Sequence, residues 1–216
     1  MNLIFDIDGT LVQSYGFDTI CYAQALQDVL GKVRLRPDWG DYADVTDRGI
    51  FQGICADNGL GPLDETPLKT RFTALVADHL ARDPGACLAT PGAPALMADL
   101  TAQPGINIGI ATGGWGATAR AKLTHAGVPF DPTCVFSTDH ATARTEIMLA
   151  CHHAIAQPDA PTIYIGDGTW DMAATADLGW NFIGIGPRLM GQCDYWLPDF
   201  TGTGFTELVH KISGFS

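Results

Sequence analysis

Positive charge is scarce in this chain, and the scarcity sets the first limits. Only 12 Lys and Arg stand against 24 Asp and Glu, a net charge of −12 over 216 residues. A surface of that sign repels phosphate backbones, which excludes nucleic acid as a general partner and argues equally against an anionic membrane. Paired cysteines are lacking too. Cys21, Cys55, Cys87, Cys134, Cys151 and Cys193 are scattered, with no Cys-x-x-Cys among them. They form neither a zinc site nor a disulfide framework and behave as small apolar residues in a reducing compartment. No apolar run approaches the ~18 residues needed to span a bilayer, and no basic segment leads into a signal sequence. A cytoplasmic soluble protein is therefore expected. Repeats and low-complexity stretches are also missing. The length suits one large domain, or a core with a smaller partner.

What is present begins at the first ten residues, MNLIFDIDGT. Leu3, Ile4 and Phe5 form an apolar run suited to a strand buried on both faces, and such strands belong to parallel sheets. The strand stops in Asp6 and Asp8, followed at once by Gly9 and Thr10. Two carboxylates thus arrive at the carboxyl edge of the sheet, where open α/β sheets bind ligands. Holding them close is costly unless a cation or a proton lies between them.

From Phe17 to Arg82 the pattern is helical. Helices are expected over about 17–30, 46–58 and 67–80, the third with the cleanest stripe: Leu68, Phe72, Leu75, Val76, His79 and Leu80. Their apolar faces can cover one another, so this block forms a small helical subdomain, and His79 on its stripe is a packed residue rather than a ligand. After Pro91, helices and strands alternate. Strands are expected at 106–111, 134–136, 162–165, 182–185 and 195–197, which indicates a doubly wound parallel sheet. The fold class is therefore α/β, a Rossmann-like core of 1–14 and 90–216 with an inserted all-helical cap of 15–89. The linkers fall near 11–16 and 84–92, where glycine and proline collect.

Three strands end in polar signatures: Asp6-Ile7-Asp8-Gly9-Thr10, Ala111-Thr112-Gly113-Gly114, and Gly166-Asp167-Gly168-Thr169-Trp170-Asp171. Each alone is ordinary turn chemistry. Together, in this order and each behind a buried strand, they resemble the haloacid-dehalogenase-like (HAD) phosphohydrolases, in the helical-cap branch near phosphoglycolate phosphatase and β-phosphoglucomutase. The resemblance implies that Asp6 is the nucleophile and forms an aspartyl-phosphate. It implies that Asp8 protonates the leaving oxygen and later activates water, work worth roughly 10²–10⁴-fold in rate. The dehalogenases of this family do not carry Asp at that second position, so Asp8 points to phosphoryl transfer. Thr112, with Gly113 and Gly114, matches the motif that holds the phosphoryl oxygens. Asp167 and Asp171 match the acidic motif, which implies that Asp167 binds the metal directly with Asp6 and the backbone carbonyl of Asp8, while Asp171 acts on it through water or orients the site. The third motif normally supplies lysine. Here the matching place is Thr142-Ala143-Arg144-Thr145-Glu146, and Arg144 takes the role as a planar fork. Lys122, the other basic residue in reach along the chain, is expected on the surface of its helix. No other His or Cys stands at metal spacing from His140, His152 or His153, which are taken as structural or solvent-facing.

Charge supports a cation independently of the family. Four carboxylates carry about −4 and a phosphate monoester adds nearly −2. Oxygen-only ligands select a hard ion, and Mg²⁺ suits carboxylates that share it with phosphate. The cap holds 7 basic and 11 acidic residues, so it is no general anion trap. Thr46 and Arg48, at the helix start Asp44-Val45-Thr46-Asp47-Arg48-Gly49, are the expected substrate contacts. A Mg²⁺-dependent phosphatase for a small phosphorylated metabolite is expected, as monomer or homodimer. Two alternatives stay open: a phosphomutase, and a non-catalytic phosphoacceptor module. A phosphonate hydrolase would need a poised cap lysine, and neither Lys32 nor Lys69 sits in such a context.

Overall fold

The first strand lies at the middle of the sheet, and everything else is placed from it. The structure, a computed structural model of the chain, describes residues 1–155, 157 and 160–214. Strand β1 (Asn2–Phe5) pairs in parallel with β4 (Asn107–Ala111) on one side and β6 (Thr162–Gly166) on the other. Phe5 stands opposite both Ile110 and Ile165. Further strands β5 (Val135–Phe136), β7 (Asn181–Ile185) and β8 (Trp196–Leu197) complete a six-stranded sheet, order β5-β4-β1-β6-β7-β8, with every pairing parallel. The order leaves β1 in opposite directions toward β4 and β6. That makes its carboxyl end the switch point at which such sheets form a crevice. Leu3, Ile4 and Phe5 are fully buried, as an apolar run covered on both faces must be.

Helices α4 (Ala93–Thr101), α5 (Gly116–His125), α6 (Arg144–Ile155), α7 (Thr169–Asp177) and α8 (Gly204–Ser213) flank the sheet, and α1 (Tyr15–Leu30), α2 (Asp47–Asp57) and α3 (Thr66–Arg82) form the helical cap. In α3, Leu68, Phe72, Val76 and Leu80 recur every four residues and are all buried, and this stripe packs on α1. His79 is partly buried, its ring stacked on Phe17 at 5.0 Å. Pro67 sits in the first turn of α3, where its missing N–H costs nothing.

Two features depart from the sequence reading. Ile20, an apolar residue within the first helical stretch and so expected inward, is 67% exposed, because Phe17, Cys21, Ala25 and Leu26 define the buried face of α1. Strands β2 (Val12–Gln13) and β3 (Leu88–Ala89), which sequence did not suggest, pair antiparallel where the chain leaves and re-enters the core. A two-residue strand has too little pattern to announce itself.

Candidate active site

Asp6 leaves β1 with its N–H bonded to the Ile165 carbonyl at 2.9 Å, which fixes its place between the ends of β4 and β6. The chain then turns through Gly9 at φ +82°. A Cβ there would stand 2.3 Å from both Asp167 Oδ2 and Tyr15 Cε2, so only glycine lets the acidic motif approach. As a result Asp6, Asp167 and Asp171 bring carboxylate oxygens within 4.8 Å of one another, all three buried. Burial foremost, and the Asp171 charge next, push the Asp6 carboxyl well above its ordinary value. Asp167 is raised to about 7 by the same two causes in the same order. Asp171 is raised by burial, against the pull of Arg144.

Neighbours divide these carboxylates by role. Asp171 Oδ2 accepts from the Gly168 N–H at 3.0 Å, and its Oδ1 lies 2.9 Å from Arg144 Nη1, so both oxygens are engaged. Asp167 takes the Tyr15 hydroxyl on Oδ1 and Oδ2, at 2.8 and 2.9 Å. Arg188, which the sequence did not single out, stands 3.6 Å from Asp167 Oδ2 and covers the rings of Tyr15 and Trp170.

Arg144 begins α6. A cation at a helix N-terminus opposes the dipole, and Asp171 together with Asp6, 3.5 Å away, offsets that cost. Its Nη2 donates to the Val45 carbonyl of the cap at 2.9 Å, Nη1 pairs with Asp171, and Nε has no hydrogen-bond partner among the described residues. A Cβ on Gly113 would stand 2.6 Å from Arg144 Nη2 and 2.7 Å from that same carbonyl. Glycine at 113 is therefore what lets cap and core meet over Arg144. Thr112 is buried at the end of β4, with its Oγ1 accepting from the Gly114 N–H at 3.2 Å.

Lys122 corrects the sequence reading. Expected on the surface, it is 1% exposed and projects from α5 into the site, with Nζ 2.5 Å from Asp8 Oδ1 and 2.9 Å from Asp18 Oδ1. Burial works against its charge, but Asp18 and Asp8 outweigh that and hold the ammonium above the ordinary lysine value. Ser14 donates its hydroxyl to the same Asp8 oxygen. Both fixed donors thus sit on Oδ1, and Oδ2 is left toward Gly114.

One cavity of about 100 Å³ connects these groups. Its core side is lined by Asp6, Asp8, Thr112, Gly113, Gly114 and Arg144. Its cap side is lined by Tyr15, Asp18, Tyr22, Trp39, Thr46 and Asp47, among others. The cap is tied to the core by backbone-directed bonds. Asp47 N–H donates to Gly113 O, and its Oδ2 accepts from Trp115 N–H, each at 2.8 Å. Thr46 caps α2 by accepting from Gly49 N–H and donates its hydroxyl to Thr142 O at 2.9 Å. Trp115, fully buried, lodges against Tyr22 and Phe72 of the cap at centroid distances of 6.0 and 5.9 Å. Arg48 is not among the lining residues; it forms a two-pronged pair with Glu65 at 2.7 and 2.8 Å. Asp18, Asp47 and Tyr15 escaped the sequence reading, whereas Lys122 was weighed there and placed on the surface. Of the three, only Asp47 had a signal, as the neighbour of Thr46 in a helix start already marked as facing the site.

Comparisons agree with this architecture. Solved structures share the fold over nearly the whole chain at low identity. A hydrolase from Pseudomonas syringae is 22% identical, with 97% of this chain and 99% of that one covered, at a TM-score of 0.65. A β-phosphoglucomutase from Clostridium difficile reaches 0.73 at 14% identity, covering 99% and 97%. A predicted phosphoglycolate phosphatase from Haemophilus somnus gives 0.63 at 17%, covering 96% of each. Among curated proteins nothing matches in sequence. The family model described as haloacid dehalogenase-like hydrolase matches residues 1–179, so the chain belongs to the haloacid dehalogenase-like hydrolases and is an enzyme.

Proposed function

We propose that the protein is a Mg²⁺-dependent phosphatase that hydrolyses a small phosphate monoester through an aspartyl-phosphate on Asp6. The observation that carries this is the meeting of two groups in one cavity. Buried Asp6, Asp167 and Asp171 stand together, and Asp8 shares the cavity with Asp6, one oxygen held and the other free.

The donor set fits a hard cation, since three buried carboxylates with raised proton affinity offer oxygen only. Asp6 and Asp167 would hold the ion with the backbone carbonyl of Asp8, and Asp171, both oxygens already engaged, would orient the group. Bound there, Mg²⁺ would supply neutralisation of carboxylate and phosphoryl charge. The Asp6 carboxylate attacks phosphorus in line while the ester P–O bond breaks. Asp8 Oδ2 delivers its proton to the leaving alcohol oxygen. Asp8 then takes a proton from water, whose oxygen attacks the phosphorus of the aspartyl-phosphate, releasing phosphate and restoring Asp6. Thr112, the Gly113 and Gly114 amides, and the unused Nε–H of Arg144 hold the phosphoryl oxygens. Thr46 borders the substrate from the cap. Arg48 would reach substrate only by leaving Glu65.

Hydrolysis of p-nitrophenyl phosphate with and without EDTA tests the reading. Turnover is expected only with Mg²⁺ restored, and Asp6→Asn is expected to lose at least about 10³-fold in kcat, the scale of losing a nucleophile. Metal-independent turnover, or full activity in Asp6→Asn, would overturn it.

A further inference from the structure

The two ends of the cavity differ in charge. The phosphoryl end has Arg144, the only basic residue lining the cavity among the described residues. The cap end has none. It is lined instead by the carboxylates of Asp18 and Asp47 and by Tyr15, Tyr22, Trp39 and Trp170. The nearby cations are already committed. Lys122 is shared between Asp8 and Asp18, and Arg188 is engaged by Asp167 and two aromatic rings.

Asp47 differs from Asp18 in having no cation paired with it directly: burial first, and the Asp18 charge next, raise its carboxyl well above the ordinary value, against the more distant pull of Lys122. Its Oδ2 accepts one backbone N–H, from Trp115, and no Lys or Arg pairs with it among the described residues. Carboxylates in such a place are stabilised by a cation, and aromatic faces add to that when the cation is an ammonium. A carboxylate or second phosphate on the substrate would instead meet like charge, with no cationic side chain at that end among the described residues to offset it.

Spacing narrows the class. Asp47 Oδ2 and Asp8 Oδ2 both lie 3.7 Å from the point where a Cβ on Gly114 would stand. The two oxygens are therefore no further apart than twice that distance. That bound admits only a short link between ester oxygen and nitrogen, of about two or three carbons, with a hydrogen bond at each end.

Resting on the phosphatase reading above, we propose that the substrate is the phosphate monoester of a small amino alcohol, its ammonium held at Asp47 while Asp8 protonates the ester oxygen. The structure thereby assigns Asp47 as a specificity-determining residue.

The test uses the full chain with Mg²⁺ and four substrates: p-nitrophenyl phosphate, phosphoethanolamine, ethyl phosphate and 2-phosphoglycolate. Phosphoethanolamine and ethyl phosphate differ chiefly in the ammonium. The expected kcat/KM ratio between them is about tenfold to a hundredfold, the scale of one charge-assisted hydrogen bond, with 2-phosphoglycolate below both. In Asp47→Asn the ratio is expected to contract to about threefold or less, the carboxylate that receives the ammonium being gone. A wild-type ratio near one, a preference for 2-phosphoglycolate, or a ratio unchanged in Asp47→Asn would overturn the proposal while leaving the phosphatase intact. No hydrolysis of any of the four would overturn the phosphatase reading and this one with it.

Discussion

Asp167 and Asp18 hold their protons more tightly in the folded chain than free aspartates do. Asp167 is raised to about 7 and Asp18 to about 6, in both cases through burial first; for Asp18 the Lys122 charge pulls back against it. A carboxyl whose folded value lies above its unfolded one stabilises the fold fully below the unfolded value of ~3.9. That contribution is lost as pH rises through the folded value. The metal-free protein should therefore lose thermal stability between about pH 4 and pH 7. The exposed carboxylates lowered by hydrogen bonds, such as Asp28 and Asp64, titrate below that window. His152, lowered by burial, works in the opposite direction but is a single partly open group. Adding Mg²⁺ above pH 7 should reverse the loss, because the ion binds the ionised carboxylates. A Tm in EDTA that rises steadily from pH 5 to 7.5 would contradict this account.

Helix α5 shows what single-element reasoning can and cannot reach. Lys122 from this helix is the countercharge for Asp8 and Asp18. Replacing it by methionine keeps much of the volume and leaves two carboxylates facing each other, so Lys122→Met should cost about 3–5 kcal/mol in urea unfolding. A loss under about 1 kcal/mol would mean that water or protons substitute freely for the ammonium. The sequence disguised this residue. Apart from Leu123, α5 mixes Ala, Thr and Gly with its charges around the helix, so no stripe marks an inward face. Its two partners are 114 and 104 residues away. In α3, by contrast, apolar residues recur at helical spacing and the buried side was legible. The same holds for β1, β4 and β6, whose apolar runs and polar ends gave both the sheet and the meeting of Asp6, Thr112 and Asp167. Arg144 could be placed only through the family resemblance, as the basic residue at the start of the helix before the last acidic motif. Arg48 and Ile20 could not, since whether a helical side chain turns inward or toward Glu65 depends on neighbours that no local pattern specifies.

At the scale of the molecule, Trp115 is a large apolar tie between core and cap. It leaves the core directly after Gly114 and is buried against Tyr22 of α1 and Phe72 of α3. Trp115→Ala should cost about 3–5 kcal/mol. The loss falls between the two lobes and not within either, so urea unfolding is expected to separate into two transitions. A single transition with unchanged slope would show that the polar ties at Asp47, Thr46 and Arg144 suffice. The same closed cavity also governs how substrate arrives. Asp6, Asp8, Asp18 and Asp47 line it against one guanidinium, in a chain of net charge −12, so a dianionic monoester diffuses inward against the field of the whole protein. Salt screens that repulsion within about 10 Å at 0.1 M. Below saturation, turnover of p-nitrophenyl phosphate should quicken as inert salt is added at fixed Mg²⁺, the reverse of an enzyme that draws its anion in electrostatically. A substrate bearing its own positive charge would meet a lower barrier on the way in, so the acidic cavity would sort molecules by rate of encounter before any contact is made.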